Sequence, residues 1–176
     1  DGAPSGALTI AEDGAGTRAL RLSAGPDGER RRACREHPEA PPGDRLEVTM
    51  QVRLSRLGLS DATIASLRGS GGEAVSLRIN DRGEFTWYDG PDKVRSRIAA
   101  RSGSWYEVSI DVDQTRRTYA FTIATTDGTV VAQATDVAWR TADVPASRRV
   151  CLETSSGGPG QHLDLASVRV LQIPAP

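Results

Sequence analysis

The chain has 176 residues, 38% hydrophobic and 26% charged, with 18 Gly and 10 Pro. That suits one folded domain over 1–176 and excludes a disordered or collagen-like chain. No stretch approaches the roughly 20 apolar residues of a membrane-spanning helix, and a formal net charge of -1 argues against bulk attraction to nucleic acid or an anionic membrane. Two His, two Cys and one Met leave little material for metal or thiol chemistry.

Taken in chain order, short apolar runs at 8–10 and 17–23 read as strands, followed by a Gly/Pro-rich stretch over 24–43 that reads as the longest loop and carries Cys34. Arg30, Arg31, Arg32 and Arg35 lie in that loop, flanked by Glu29, Glu36 and Glu39, and read as a solvated charge cluster. The clearest element is RLEVTMQVRL, in which Leu46, Val48, Met50, Val52 and Leu54 alternate with polar residues, the period of a half-buried strand. Residues 60–68 have a fair helix N-cap in Ser60, but Thr63, Ile64 and the short length favour a strand. Period two returns at Val75, Leu77, Ile79, at Tyr106, Val108, Ile110, Val112, and at Tyr119, Phe121, Ile123. Shorter runs fall at Val94 with Ile98, at 130–134, at Val150 with Leu152, and at 163–173. Turn residues at Asp81-Arg82-Gly83, Asp89-Gly90-Pro91, Asp127-Gly128 and 155–160 separate them. At least ten short strands with almost no helix predict an all-β sandwich or barrel, whose first and last strands pair to limit open edges.

Cys34 and Cys151 share no metal-ligand spacing. Two readings remain open: a disulfide, which closes so long a loop that the chain-entropy model stabilises the fold by up to about 5 kcal/mol, and two buried thiols of an intracellular protein. The first is favoured and implies an oxidising, extracellular location. Residues 1–30 lack a basic end followed by an apolar run, so an export leader is expected ahead of Asp1 or in a longer secreted protein.

The segments GTRALRLSAG, RLEVTMQVRL, EAVSLRINDRGEFTWYDG, SGSWYEVSIDVDQTRRTYAFTIATTDG and LDLASVRVLQI, in that order, resemble the concanavalin A-like lectin/glucanase superfamily. The most specific part is Trp105, the alternating strand through Val108 and Ile110, the turn at Asp111 and Asp113, then Tyr119, Phe121, Asp127 and Gly128. The resemblance implies a two-sheet antiparallel jelly-roll sandwich, shared by laminin G-like domains, carbohydrate-binding modules, glycosidases and lyases. With the skew to 21 Arg against one Lys, it suggests a secreted actinobacterial protein.

Within that fold the glycosidase motif E-x-D-x-x-E is missing. Glu107, Asp111 and Asp113 share a strand face but read as its solvated side. A lyase needs a cation or amide for the uronate carboxylate and a Tyr or His to take the proton. Gln51 with Arg53, Arg78 with Asn80, and Tyr88, His37 or His162 are the available groups. Serine-hydrolase and nucleotide motifs are missing. No cofactor is expected beyond a candidate structural calcium ion, with Glu12, Asp13 and Asp164 as oxygen donors.

Sugar binding needs an aromatic and planar polar groups. Adjacent strand residues Trp87 and Tyr88 point to opposite faces. If Phe85 belongs to the core, Trp87 is inside and Tyr88 joins an Arg strip from Arg78 and Arg95 or Arg97. The candidate carbohydrate site is therefore Tyr88, Trp87, Arg78, Arg95, Arg53 and Gln51, with Trp105 and Trp139 assigned to packing. Arg suits carboxylate or sulfate, so the expected function is a non-catalytic, monomeric, lectin-like module for acidic polysaccharides. The expected partners are a glycan and a neighbouring catalytic domain, with no nucleic acid or membrane. The alternatives are a small lyase acting on uronate polymers and a structural accessory domain.

Overall fold

The computed structural model describes residues 8–12, 16–25, 29–37, 44–55, 61–144, 148–154 and 161–174. Among them the only regular elements are strands. In chain order these are β1 (Leu8–Glu12), β2 (Arg18–Ser23), β3 (Arg32–Glu36), β4 (Arg45–Leu54), β5 (Ala62–Gly69), β6 (Gly72–Ile79) and β7 (Glu84–Asp89). The remainder are β8 (Asp92–Ala99), β9 (Trp105–Asp113), β10 (Thr118–Thr125), β11 (Val130–Ala138), β12 (Arg149–Glu153) and β13 (His162–Ile173). They form two antiparallel sheets, the expected jelly-roll sandwich. The seven-stranded sheet runs β1-β2-β13-β4-β9-β10-β11 and the six-stranded sheet runs β3-β12-β5-β6-β7-β8.

The period-two segments decide the core. In β4 the residues Leu46, Val48, Met50, Val52 and Leu54 are each 2% exposed or less. Their register against β9 sets Val48 beside Ile110, Met50 beside Val108 and Val52 beside Tyr106. From the other sheet Val75, Leu77, Ile79 and Phe85 join the same buried cluster, with Phe85 edge-on to Tyr106 at 5.1 Å between ring centroids. The early and late strands do pair: Leu22 of β2 stands opposite Leu163 of β13. Gly90 and Gly128 take φ of 58° and 86°, as their turns require of residues without a Cβ.

Ser60 lies outside the described residues, and from Ala62 the segment is strand: β5 is buried along both faces. Alternation is hidden there because the outward face is covered too. Asp61, just ahead of β5, reaches across β6 and β7 to pair with Lys93 of β8. Arg140 and Thr141 donate backbone hydrogen bonds to the carbonyls of Ala74 and Glu73, lying alongside the start of β6.

One expectation is corrected. Cys34 does not sit in a long loop, because residues 32–36 form β3, an edge strand paired residue for residue with β12. The segment RACRE has no apolar period to reveal it, and the strand exists because β12 supplies its ladder. The disulfide Cys34–Cys151 is present and joins directly opposed residues of that ladder. Of the four arginines, Arg30, Arg32 and Arg35 are exposed, as a solvated cluster would be, and each of the four also has a partner. Arg30 and Arg32 pair with Glu153, Arg31 pairs with Glu29, and Arg35 donates to the Val168 carbonyl.

Leu77 is fully buried at the centre of the six-stranded sheet, so Leu77→Ala is expected to cost about 2–5 kcal/mol. A urea denaturation midpoint shifted by less than the equivalent of 1 kcal/mol would contradict this placement.

Candidate functional site

Strand register assembles one continuous polar row across the outward face of the six-stranded sheet. Arg32 stands opposite Glu153, Glu153 opposite Thr63, Thr63 opposite Arg78, Arg78 opposite Thr86, and Thr86 opposite Arg95. Directly opposed residues share a face, so Arg78 and Arg95 do meet on one surface. Tyr88, two residues beyond Thr86 on β7, joins them. The row lies in a trough: Thr63 and Thr86 are each 1% exposed, and their buried hydroxyl oxygens have no hydrogen-bond partner among the described residues.

At the centre of the trough is Glu73. Its carboxylate takes charge-assisted hydrogen bonds from Arg68, Arg78 and Arg140, the Arg78 bond measuring 3.0 Å. Burial pushes the Glu73 carboxyl up, but the guanidiniums, Arg78 foremost, outweigh it and hold the group below the ordinary carboxylate range. Arg78 also donates from Nε to the Ser76 hydroxyl at 2.9 Å, so two of its donors are held within the sheet. The Arg140 guanidinium lies 4.0 Å from the Tyr88 ring centroid and that of Arg78 lies 5.5 Å away. Tyr88 therefore does not present a bare ring to solvent; it supports a guanidinium plate and keeps its hydroxyl free of any protein partner among the described residues.

Three expected members fall elsewhere. Trp87 is turned into the core, its ring 5.2 Å from that of Phe121, because successive strand residues face opposite ways. Gln51 and Arg53 are outward on β4, which belongs to the other sheet. There Gln51 donates to Glu107 at 3.1 Å and Arg53 to Asp164 at 2.7 Å, with the Arg53 guanidinium 4.8 Å from the Trp105 ring centroid. Neither can reach Tyr88 through the intervening core.

Asp164 is itself no open oxygen donor. It is fully buried and takes two hydrogen bonds from Arg21, at 2.8 and 3.0 Å, and two from Arg53. Burial pushes its carboxyl up, and the hydrogen bonds from Arg21 and Arg53 outweigh that and hold it low. Glu12 lies 4.0 Å from Arg18, and Asp13 lies outside the described residues. No group of three or more His, Cys, Asp or Glu among the described residues could hold a metal ion. His162 approaches Asp164 at 3.7 Å on the seven-stranded sheet, and the His37 amide donates to the Arg148 carbonyl beside β3. Glu107, Asp111 and Asp113 each serve a local contact, to Gln51, Arg45 and the Arg116 amide. A surface depression of about 440 Å³ opens above this sheet, floored by short side chains such as Ser109, Ala120 and Thr122.

Sequence reading missed Glu73, Arg68 and above all Arg140. Arg140 follows β11, a strand of the other sheet, and only the chain's crossing to β6 brings it to Tyr88. Local alternation misplaces Glu73, which has the parity of the buried Val75, Leu77 and Ile79; the register shift between Leu67 and Arg68 in the pairing of β5 with β6 accompanies its turn to the face of Arg78.

No protein-family model matches the sequence and no curated protein matches it. Solved structures share the fold. A sialidase superposes with TM-score 0.69 at 13% identity, over 94% of this chain and 16% of its own length. An alginate lyase superposes with TM-score 0.62 at 8% identity, over 89% of this chain and 76% of that one. An endo-1,3-beta-glucanase from Streptomyces sioyaensis gives TM-score 0.57 at 16% identity, over 96% and 79%. The chain thus spans a small fraction of the sialidase and most of the other two. The architecture is that of jelly-roll proteins that act on carbohydrates.

Both low-lying carboxyls favour folding when ionised. Their contribution is present at neutral pH and is lost as the pH falls from about 4 toward the depressed folded values. Asp164→Asn, which leaves two guanidiniums facing an amide, is expected to cost about 3 kcal/mol at pH 7 and less at pH 3. Urea midpoints for wild type and variant at the two pH values check the sign, and an equal gap at both would contradict it.

Proposed function

We propose that this domain is a non-catalytic carbohydrate-binding module that holds an acidic polysaccharide along the outward trough of the six-stranded sheet. The observation that carries the proposal is the convergence of Arg78, Arg140 and Arg95 with Tyr88. Around Glu73 and Tyr88 this face gathers Arg68, Arg78, Arg95 and Arg140, although the whole chain carries a net charge of -1. Arg95 is exposed and has no ion-pair partner among the described residues, which suits it to a carboxylate or sulfate of the ligand. The outer face of the Arg140 plate can lie against a sugar ring, while the Tyr88 hydroxyl supplies a neutral hydrogen bond beside it. Glu73 and Glu153, the buried carboxylates of the face, are already paired, which favours binding over acid–base turnover.

The sialidase, of which this fold is 16%, suits the picture of a module joined to a longer polypeptide. The disulfide suits an extracellular setting. A uronate lyase is the second reading, favoured by one observation: the free Tyr88 hydroxyl stands beside the Arg140 guanidinium, a base next to a carboxylate anchor.

Titration with polygalacturonate, alginate and a neutral β-glucan separates these readings. Binding to a uronate polymer is expected, weakening as salt rises and absent for the glucan. Arg95→Ala and Arg140→Ala are each expected to lower affinity by about 10- to 100-fold, the loss of one charge-assisted contact. Equal affinity for the neutral glucan, or variants that bind as wild type does, would refute the site. Release of unsaturated uronate, followed by ultraviolet absorbance, would replace the binding reading with the lyase one.

A further inference from the structure

We infer that the Cys34–Cys151 disulfide is a reducible clasp on β3, whose opening frees that strand, uncovers an apolar pocket and leaves the rest of the sandwich folded. The basis is how little else holds β3. It is an edge strand hydrogen-bonded to β12 alone. Of its five residues, RACRE, three are charged, and only Ala33 packs against the core cluster. Burial of one alanine is far too little to order five residues. The remaining ties are polar: Arg32 and Arg30 to Glu153, Arg35 to the Val168 carbonyl, the Arg31 amide to the Thr154 hydroxyl, the Thr154 amide to the Arg31 carbonyl, and the His37 amide to the Arg148 carbonyl. β12 by contrast has Val150, Cys151 and Leu152 buried and is paired on its far side with β5.

The two cysteine residues also differ in access. Cys34 is exposed, whereas Cys151 is 0% exposed. Behind the bridge lies a pocket of about 200 Å³ between the sheets, lined by Leu20, Met50, Val150, Leu152, Leu165 and Val168, with Ala33, Cys34 and Arg35 of β3 forming one wall. Removing that wall opens apolar surface and takes Arg32 away from the end of the polar row.

A dithiol reductant completes the chemistry. Its thiolate attacks the sulfur of the exposed Cys34, forming a mixed disulfide and expelling Cys151 as a thiolate, which takes up a proton. The second thiol then closes the reductant's own disulfide and releases Cys34 as a thiol. Two electrons and two protons pass to the protein, and the reductant is oxidised. Exposed disulfides are the ones open to such exchange.

Hydrogen exchange read by mass spectrometry on the oxidised protein, the dithiothreitol-reduced protein and a Cys34→Ser, Cys151→Ser double variant tests the clasp. On reduction, amides of residues 33–36 are expected to exchange at least about tenfold faster, with those of β5, β6 and β9 unchanged. Fluorescence of an added anilinonaphthalene sulfonate is expected to rise as the pocket opens. Unchanged protection in β3 would overturn the inference, showing that the ladder suffices. Protection lost throughout the sandwich would overturn it equally, showing a staple of the whole fold. Should the double variant not fold, reduction of the native protein still decides between these results.

Discussion

Everything in this molecule depends on two sheets burying period-two apolar rows against each other. The β4 row Leu46, Val48, Met50, Val52 and Leu54 and the β6 row Val75, Leu77 and Ile79 all lie at 2% exposure or less. A slip of one residue in either strand would send the whole row to solvent and bring Glu47, Arg53 or Arg78 inside, at a cost no local contact could offset. Register is therefore rigidly specified, and register in turn places every polar group on the two outer faces. The row from Arg32 to Arg95 is a by-product of packing the core correctly.

Asp164 in one sheet and Glu73 in the other are buried carboxylates bound by several guanidiniums, and the two do different work. Asp164 on β13 ties together β2, through Arg21, and β4, through Arg53. It fastens three neighbouring strands of the seven-stranded sheet, with Trp105 closing over Arg53. Glu73 on β6 ties β5, through Arg68, to the segment after β11, through Arg140. Ion pairs of this kind contribute little net stability once desolvation is counted, yet losing one partner is costly because a charge is left stranded. Their effect here is geometric. Glu73 aims Arg140 at Tyr88 and so builds the guanidinium plate that the proposed binding surface uses.

The disulfide belongs to a different class of interaction. The apolar rows and the carboxylate clusters lie inside the sheets, whereas Cys34 sits at an edge that burial does not secure. Loop closure over a sequence separation of 117 residues implies a large entropic effect for a bridge inside a rigid fold. A bridge that holds one edge strand acts mainly on that strand, since the strand can leave while the core remains.

The sequence by itself determined the class of fold, the strands whose apolar residues alternate, the tight turns and the outward aim of Tyr88, because each follows from local periodicity or backbone freedom. It favoured a bond between Cys34 and Cys151, the only cysteines present, over two free thiols, and the structure decided for the bond. β3 was illegible because RACRE has no apolar alternation and exists as a strand only through its partner. Gln51 and Arg53 were grouped with Tyr88 because alternation tells which residues face outward but not from which sheet. Tertiary structure alone decided that: β4 and β7 lie on opposite sides of the core. It alone decided Arg140 as well, a residue more than fifty positions from Tyr88 in the chain, brought over its ring by a crossing between sheets that no local pattern records.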